Sequence, residues 1–181
     1  MASKSVIERL LEDHQEVRQM FARFETAERA KWWDIFSELT NGLVRHEVVE
    51  EEIVYPEVRK ELPKGDALAD ARIHEQSEAE ELLATMEKKG PEDTNFPANL
   101  TKLRAAVLAH AEAEEKTVFV PLSSAVSQER LERLGDRYEK AKSLAPTHPH
   151  PNAPDTPPGN MVLGPVAAMA DRFRDAMRKA S

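Results

Sequence analysis

Two stretches of this chain carry the same order of ligand-type side chains. His46-Glu47-Val48-Val49-Glu50-Glu51 is matched by His110-Ala111-Glu112-Ala113-Glu114-Glu115, and each runs through hydrophobic residues to a proline, at Tyr55-Pro56 and Phe119-Val120-Pro121. Residues four apart lie about 40° apart around a helix, one above the other. His46 with Glu50, and His110 with Glu114, can therefore each reach a single metal ion. Both pairs fall on the apolar stripe of a helix, so the chain must fold in a way that turns them inward toward shared partners.

The surrounding periodicity is helical throughout the first 145 residues. Ser5-Val6-Ile7-Glu8 has capping-box spacing, and Ile7, Leu10, Leu11, His14, Val17, Phe21 and Phe24 repeat at helical intervals to about residue 25. A second, longer helix is expected from about 31 to 60, with Trp32, Ile35, Phe36, Leu39, Leu43, His46, Glu50 and Ile53 near one face and Pro56 bending its last turns. Pro63-Lys64-Gly65-Asp66 is a break, with Asp66 the expected N-cap of a third helix to about 88. Gly90-Pro91 closes that helix, and Pro97 suits the first turn of a fourth, which carries Leu100, Leu103, Val107, His110, Glu114 and Val118. A shorter helix follows Ser127, to about Leu144.

Four long helices with short connections predict an all-α fold, an antiparallel up-down four-helix bundle with additional C-terminal helices. The expected domains are the bundle over 1–145, a linker over 146–165 and an amphipathic helix over 166–181. Seven of the twelve prolines fall in the linker. After it, Val166, Met169, Ala170, Phe173 and Met177 make an apolar stripe opposite Arg172, Arg174, Arg178 and Lys179, suited to docking on the bundle or on a second subunit.

Composition narrows the chemistry. A net charge of −8 argues against nucleic acid or an anionic membrane as principal partner. No apolar run is long enough to span a bilayer, and the first residues lead into a charged amphipathic segment, so a cytoplasmic protein is expected. With no cysteine there is no disulfide, thiolate metal site or thiol catalysis. His14, His46, His74 and His110 come from four different helices, each beside an apolar stripe. Burying several imidazoles and carboxylates unpartnered costs several kcal/mol for each ionised group. A shared cation removes that cost. Imidazole plus carboxylate without thiolate suits iron, manganese or zinc, and a carboxylate-bridged pair in a bundle suits iron or manganese. Glu50 and Glu114 are placed to bridge, while Glu51, Glu52 and Glu115 read as solvated members of charge runs.

On His14, His46-x-x-x-Glu50, His74 and His110-x-x-x-Glu114, the chain resembles the hemerythrin-like (HHE cation-binding) family over about residues 5 to 125. The resemblance implies a four-helix bundle holding two iron ions, oxo- or hydroxo-bridged, on His14, His46, Glu50, His74, His110 and Glu114. The segment from His148 to Asn160 also looks like a tail of bacterial members, with His148 and His150 expected as non-ligands. One place departs from the oxygen-carrying hemerythrins, which set two histidines a turn apart on the third helix. Here the second place is Glu78, about 40° from His74 and near Ala71, Leu82 and Leu68, so Glu78 is the expected extra ligand and proton shuttle, with Glu75 the alternative.

Tyr55 lies nine residues after His46, about 180° around an ideal helix, and should point away unless Pro56 swings it inward as a ligand or hydrogen-bond partner. An anionic ligand in place of imidazole favours ferric iron, so turnover of a small oxidant is expected over oxygen transport. Hydrogen peroxide, in catalase- or peroxidase-like chemistry, and nitric oxide are the expected substrates, with O2 a third small partner. The alternative is a non-catalytic iron or oxygen sensor. The protein is expected as a monomer or homodimer.

Overall fold

Apolar side chains at helical spacing give helices in every long segment. The structure is a computed structural model that describes residues 3–152 together with Ala167 and Asp171, and no strand occurs among the described residues. Helix α1 (Val6–Thr26) begins at Ser5, whose hydroxyl accepts from Glu8 N while the Glu8 carboxylate accepts from Ser5 N. A 3-10 turn, Arg29–Lys31, leads into α2 (Trp32–Val49). A π-helical turn, Glu50–Val54, joins α2 to α3 (Tyr55–Glu61). Helix α4 (Gly65–Lys89) is followed by α5 (Phe96–Glu114), a second π turn (Glu115–Phe119) and α6 (Val120–Ala125). Helix α7 (Gln128–Leu144) starts at a Ser127 cap.

The two π turns share a cause. Pro56 and Pro121 have no N–H to give to the carbonyl four residues back. The residue just before each proline reaches one further, Tyr55 N to Glu50 O and Val120 N to Glu115 O. Each turn thus carries one extra residue, which sets the following side chains back by about 100° relative to an unbroken α-helix.

Asp66 does not cap α4. The helix begins one residue earlier, at Gly65, with Lys64 in the left-handed region at φ 58° as the cap. Gly65 lies so close to α3 that a Cβ there would stand 2.1 Å from Val58 O, so only glycine admits this tight start. Asp66 remains in the first turn, where its charge suits the helix N-terminus.

The interior is divided into two apolar cores. One gathers Val6, Leu10, Val49, Val54, Val58, Ala69 and Val118; the other gathers Val17, Phe21, Leu43, Ala79, Leu83, Leu103 and Val107. Helix α1 runs from the first core to the second, α2 back, α4 forward again and α5 back. Each crosses the boundary at polar residues: His14 on α1, His46 on α2, Gln76 on α4, and His110 and Glu114 on α5, so a polar layer is enclosed between two apolar ones.

Helix α7 packs on α1 and α2. Gly135 makes this possible, since a Cβ there would fall 2.1 Å from Lys4 O. The expected helix over 166–181 lies outside the described residues except for Ala167 and Asp171, both helical. Asp171 is fully buried and accepts backbone hydrogen bonds from Thr147 and His148, each at 3.0 Å.

Candidate metal centre

Four buried residues of the polar layer, His14, His46, Glu50 and Glu114, bring one ligand atom each within 4.8 Å of the others. His46 Nε2 lies 3.0 Å from Glu50 Oε1, and Glu114 Oε2 lies 3.6 Å from both His14 Nε2 and His110 Nε2. Helices α1, α2 and α5 and the π turn after α2 supply these groups, and His110 joins the four from the edge of the cluster.

Each imidazole is held from behind by a carboxylate. His14 Nδ1 meets Glu115 Oε1 at 2.9 Å, His46 Nδ1 meets Asp13 Oδ2 at 3.2 Å, and His110 Nδ1 meets Glu75 Oε2 at 2.9 Å. Each carboxylate is in turn held by a cation: Arg18 on Glu115 at 2.8 Å, Lys142 on Asp13 at 2.6 Å and Arg72 on Glu75 at 2.7 Å. An ionised carboxylate can only accept, so the proton of each ring belongs on Nδ1. In the neutral imidazole, Nε2 is then a bare lone pair, aimed into the layer. Phe119 fixes the plane of His14, its ring stacked at 5.5 Å.

The inner atoms lack partners of their own. Glu50 Oε1, Glu114 Oε2 and His110 Nε2 are buried with no hydrogen bond. His14 Nε2 and His46 Nε2 face each other at 3.2 Å, lone pair toward lone pair in their neutral forms. Buried polar atoms left this way cost about 1–3 kcal/mol each, and more when charged. A cation among His14, His46, Glu50 and Glu114 would satisfy those four, and His110 Nε2, 3.6 Å from Glu114 Oε2, stands beside it. Three imidazole nitrogens and carboxylate oxygens with no sulfur are the donor set of iron, manganese or zinc. The residues present fit a metal.

The electrostatics ask for positive charge. Burial, reinforced by the charge of Glu114, pushes the Glu50 carboxyl well above its ordinary value. Burial also opposes ionisation of Glu114, but the polar groups of His110, His14 and Glu50 facing it override burial and hold this carboxyl well down. For His110 burial works against the charged form, and the facing Glu114 carboxylate outweighs it, so its pKa is raised. Protons are drawn to the place a metal would take.

Tyr55 is inside. Its hydroxyl donates to Glu114 Oε1 at 3.0 Å and lies 3.4 Å from Glu50 Oε2. The π turn rather than a bend at Pro56 brings it in, by a phase setback that an unbroken helix would not give. Burial, then the charges of Glu114 and Glu50, drive its pKa well up, so the phenol keeps its proton.

His74 and Glu78 are not brought to the layer. Their side chains are 76% and 70% exposed and lie 3.7 Å from each other on the outer face of α4. The inward face of α4 is Ala69, Gln76, Ala79, Leu83 and Met86. The stripe through Ala71, Leu82 and Leu68 is not the buried one: the buried face follows steps of seven, three, four and three residues through Ala69, Gln76, Ala79, Leu83 and Met86. Gln76 donates to Glu50 Oε2 at 2.5 Å. Glu75, the alternative ligand, stands one step out, behind His110.

Other residues at the site carry weaker signals. Glu115, expected in solvent, turns inward to His14 because the π turn begins there. Asp13 precedes His14 by one residue and looks like a surface acid, yet is buried, and its carboxyl is pulled down to about 2: burial opposes this, but His46, Lys142 and Tyr138 prevail. No spacing rule joins Tyr138 and Lys142 to it. Beside the imidazoles lies a cavity of about 30 Å³, lined on its apolar side by Val17, Leu43, Ala79, Val107 and Ala111.

Residues 5–122 match the family described as the hemerythrin HHE cation binding domain. The chain is 30% identical over 174 residues to an uncharacterized hemerythrin-like protein of Schizosaccharomyces pombe, covering 94% of this chain and 85% of that one. It is 29% identical over 132 residues to a DNA nickase of Nostoc sp., covering 72% of this chain; the chain spans 37% of the nickase's length. No solved structure matches the chain.

Proposed function

Because the chain belongs to the hemerythrin HHE cation-binding family, we propose that its polar layer holds a carboxylate-bridged pair of iron ions and turns over a small oxidant, hydrogen peroxide or nitric oxide. The observation that carries this reading is the convergence of buried ligand atoms from His14, His46, Glu50 and Glu114 within 4.8 Å of one another, with the buried, unpartnered His110 Nε2 3.6 Å from Glu114 Oε2. Counting both oxygens of each carboxylate, the layer offers more donors than one octahedral ion takes, which favours a pair. When bound, iron supplies Lewis acidity and exchangeable electrons.

The chain's own residues do the rest. His14, His46 and His110 are held as Nε2 donors by their carboxylates. Glu50 and Glu114 would hold a bound cation pair between them. Tyr55 keeps a proton on its hydroxyl against Glu114, within the layer and out of bulk water, and takes the proton-holding role that the exposed Glu78 is not placed to fill. A cavity of about 30 Å³ admits a molecule of two to four atoms and little more, since a single water already needs about 10–15 Å³ by this measure. Peroxide and nitric oxide are of that size. Its apolar wall also limits bulk water.

The test is iron content and an absorption spectrum on freshly purified protein, then oxygen evolution from peroxide. About two iron per chain with an oxo-to-iron band in the near ultraviolet, and turnover lost in folded His46→Ala and His110→Ala variants, would support the reading. Iron-loaded protein inert to both peroxide and nitric oxide would sink the enzymatic part.

A second reading, a non-catalytic iron or oxygen sensor, is favoured by one contact. Helix α4 carries Gln76 against Glu50 and, one turn on, Glu80, which accepts from His150 N at 2.7 Å. A shift of α4 with metal would reach the chain after α7. Metal-dependent hydrogen exchange at residues 147–150, with no peroxide turnover, would favour it.

A further inference from the structure

The family match ends at residue 122, yet two side chains of α7 (Gln128–Leu144) reach the candidate centre. Tyr138 donates its hydroxyl to Asp13 Oδ2 at 2.5 Å, the same oxygen that His46 Nδ1 meets at 3.2 Å. Lys142 donates to Asp13 Oδ1 at 2.6 Å and to the Tyr138 oxygen at 2.6 Å. We infer that α7 is a working wall of the metal centre: Tyr138 and Lys142 are positioning residues that hold the Asp13 carboxylate against His46 and share its charge, and so set how strongly His46 donates to iron. The inference rests on the proposed iron site.

The three histidines are not backed alike. Glu115 and Glu75, behind His14 and His110, have side chains 28% and 37% exposed, so water shares their charge. Asp13 is 9% exposed at its side chain. With so little water near it, what Asp13 passes to His46 is governed by its protein partners, because hydrogen bonds and charges act more strongly in a poorly hydrated site. A carboxylate behind a metal-binding imidazole raises the basicity of the ring, and such outer partners tune both affinity and potential. Tyr138 and Lys142 draw part of that charge away. The backing is also tied to the helix that carries His46, since Arg45 Nε donates to Lys142 O at 2.8 Å.

The signs follow. Without the Tyr138 hydroxyl or the Lys142 ammonium, Asp13 leans its full charge on His46 and ferric iron gains over ferrous. Iron-loaded Tyr138→Phe and Lys142→Met should therefore have a lower reduction potential than the parent, and Asp13→Asn a higher one. The Tyr138→Phe shift should vanish when Asp13→Asn is already present. Arg9→Gln is the packing control: Arg9 pairs with Glu139 at 2.5 Å and lies over the Tyr138 ring at 5.4 Å without touching Asp13. It should loosen α7 and leave the potential unchanged.

The experiment is anaerobic loading with ferrous iron, iron counting, and redox titration of parent and variants. Unmoved potentials in iron-loaded Tyr138→Phe and Lys142→Met would overturn the inference. So would an equal shift in Arg9→Gln, or a Tyr138→Phe shift that persists beside Asp13→Asn. A parent that takes up no iron overturns the proposed function and this inference with it.

Discussion

His14 Nε2 and His46 Nε2 stand 3.2 Å apart on helices whose Nδ1 atoms are both committed to carboxylates. Nothing in the protein lies between them to relieve the facing lone pairs. Metal binding is therefore coupled to stability. At an iron concentration about a hundredfold above the dissociation constant, linkage adds about 2.7 kcal/mol. For a chain of this size each kcal/mol moves the melting temperature by about 2–4 °C. Thermal unfolding before and after chelation should differ by about 5–10 °C, with readdition of ferrous iron restoring the higher value. Identical melting curves would show that nothing the chelator removes binds there.

Tyr55→Phe separates the proton role of the hydroxyl from its packing role. The ring stays buried while Glu114 Oε1 loses its donor at 3.0 Å. Iron content should stay at the parent value, because the hydroxyl is a donor to carboxylate in this arrangement rather than a free ligand. Peroxide turnover should fall about a hundredfold, the scale of a lost positioned acid. A visible phenolate-to-iron band in the parent, absent from the variant, would instead make Tyr55 a ligand.

His74→Ala and Glu78→Ala should leave iron uptake and turnover unchanged, since both side chains face solvent. Gln76→Leu should not be silent, because it removes the donor at 2.5 Å from Glu50 Oε2. Truncation of one partner in a buried hydrogen bond costs about 1–3 kcal/mol. Loss of iron in His74→Ala with retention in Gln76→Leu would reverse this assignment of the α4 face.

These contrasts show what a sequence of this kind makes legible. The two His-x-x-x-Glu pairs and His14 could be placed because each interrupts a strong apolar stripe, and four-residue spacing is insensitive to small rotations of a helix. Helix α4 offers alanines where the others offer Leu and Phe, so its inward face is weakly marked, and sequence alone does not separate buried Gln76 from exposed His74. Tyr55 and Glu115 depended on the π turns. Proline gives notice of a break in the hydrogen-bond ladder, but not of how many residues the break absorbs. Asp13, Tyr138 and Lys142 meet across more than 120 residues of chain, and no local rule links them.

Asp13 gives the metal-free protein a defined acid sensitivity. Its folded pKa, about 2, lies below the ordinary carboxyl value of 3.8. A carboxylate depressed on folding contributes its stabilisation above the unfolded pKa and loses it as the pH falls through the folded one. The shift corresponds to about 2 kcal/mol at neutral pH, lost between roughly pH 4 and pH 2. Denaturant titrations of metal-free parent and Asp13→Asn should show the two curves converging across that window, with the parent the more stable above it. Parallel curves from pH 6 down to pH 2 would mean that Asp13 is not ionised against His46 and Lys142.

Gly135→Ala tests whether the seat of α7 matters to the centre. A methyl group there meets Lys4 O at 2.1 Å, a backbone atom on the segment leading into α1, so the helix must move as a unit. Overpacking of this kind costs about 1–3 kcal/mol. Tyr138 lies three residues further along the same helix, and Asp13 lies on α1, so the same displacement lengthens the Tyr138–Asp13 hydrogen bond. The variant should therefore melt lower and also show a reduction potential displaced in the direction of Tyr138→Phe. Arg9→Gln should share the first effect alone, so measuring both quantities on both variants separates weaker packing from a changed environment at His46.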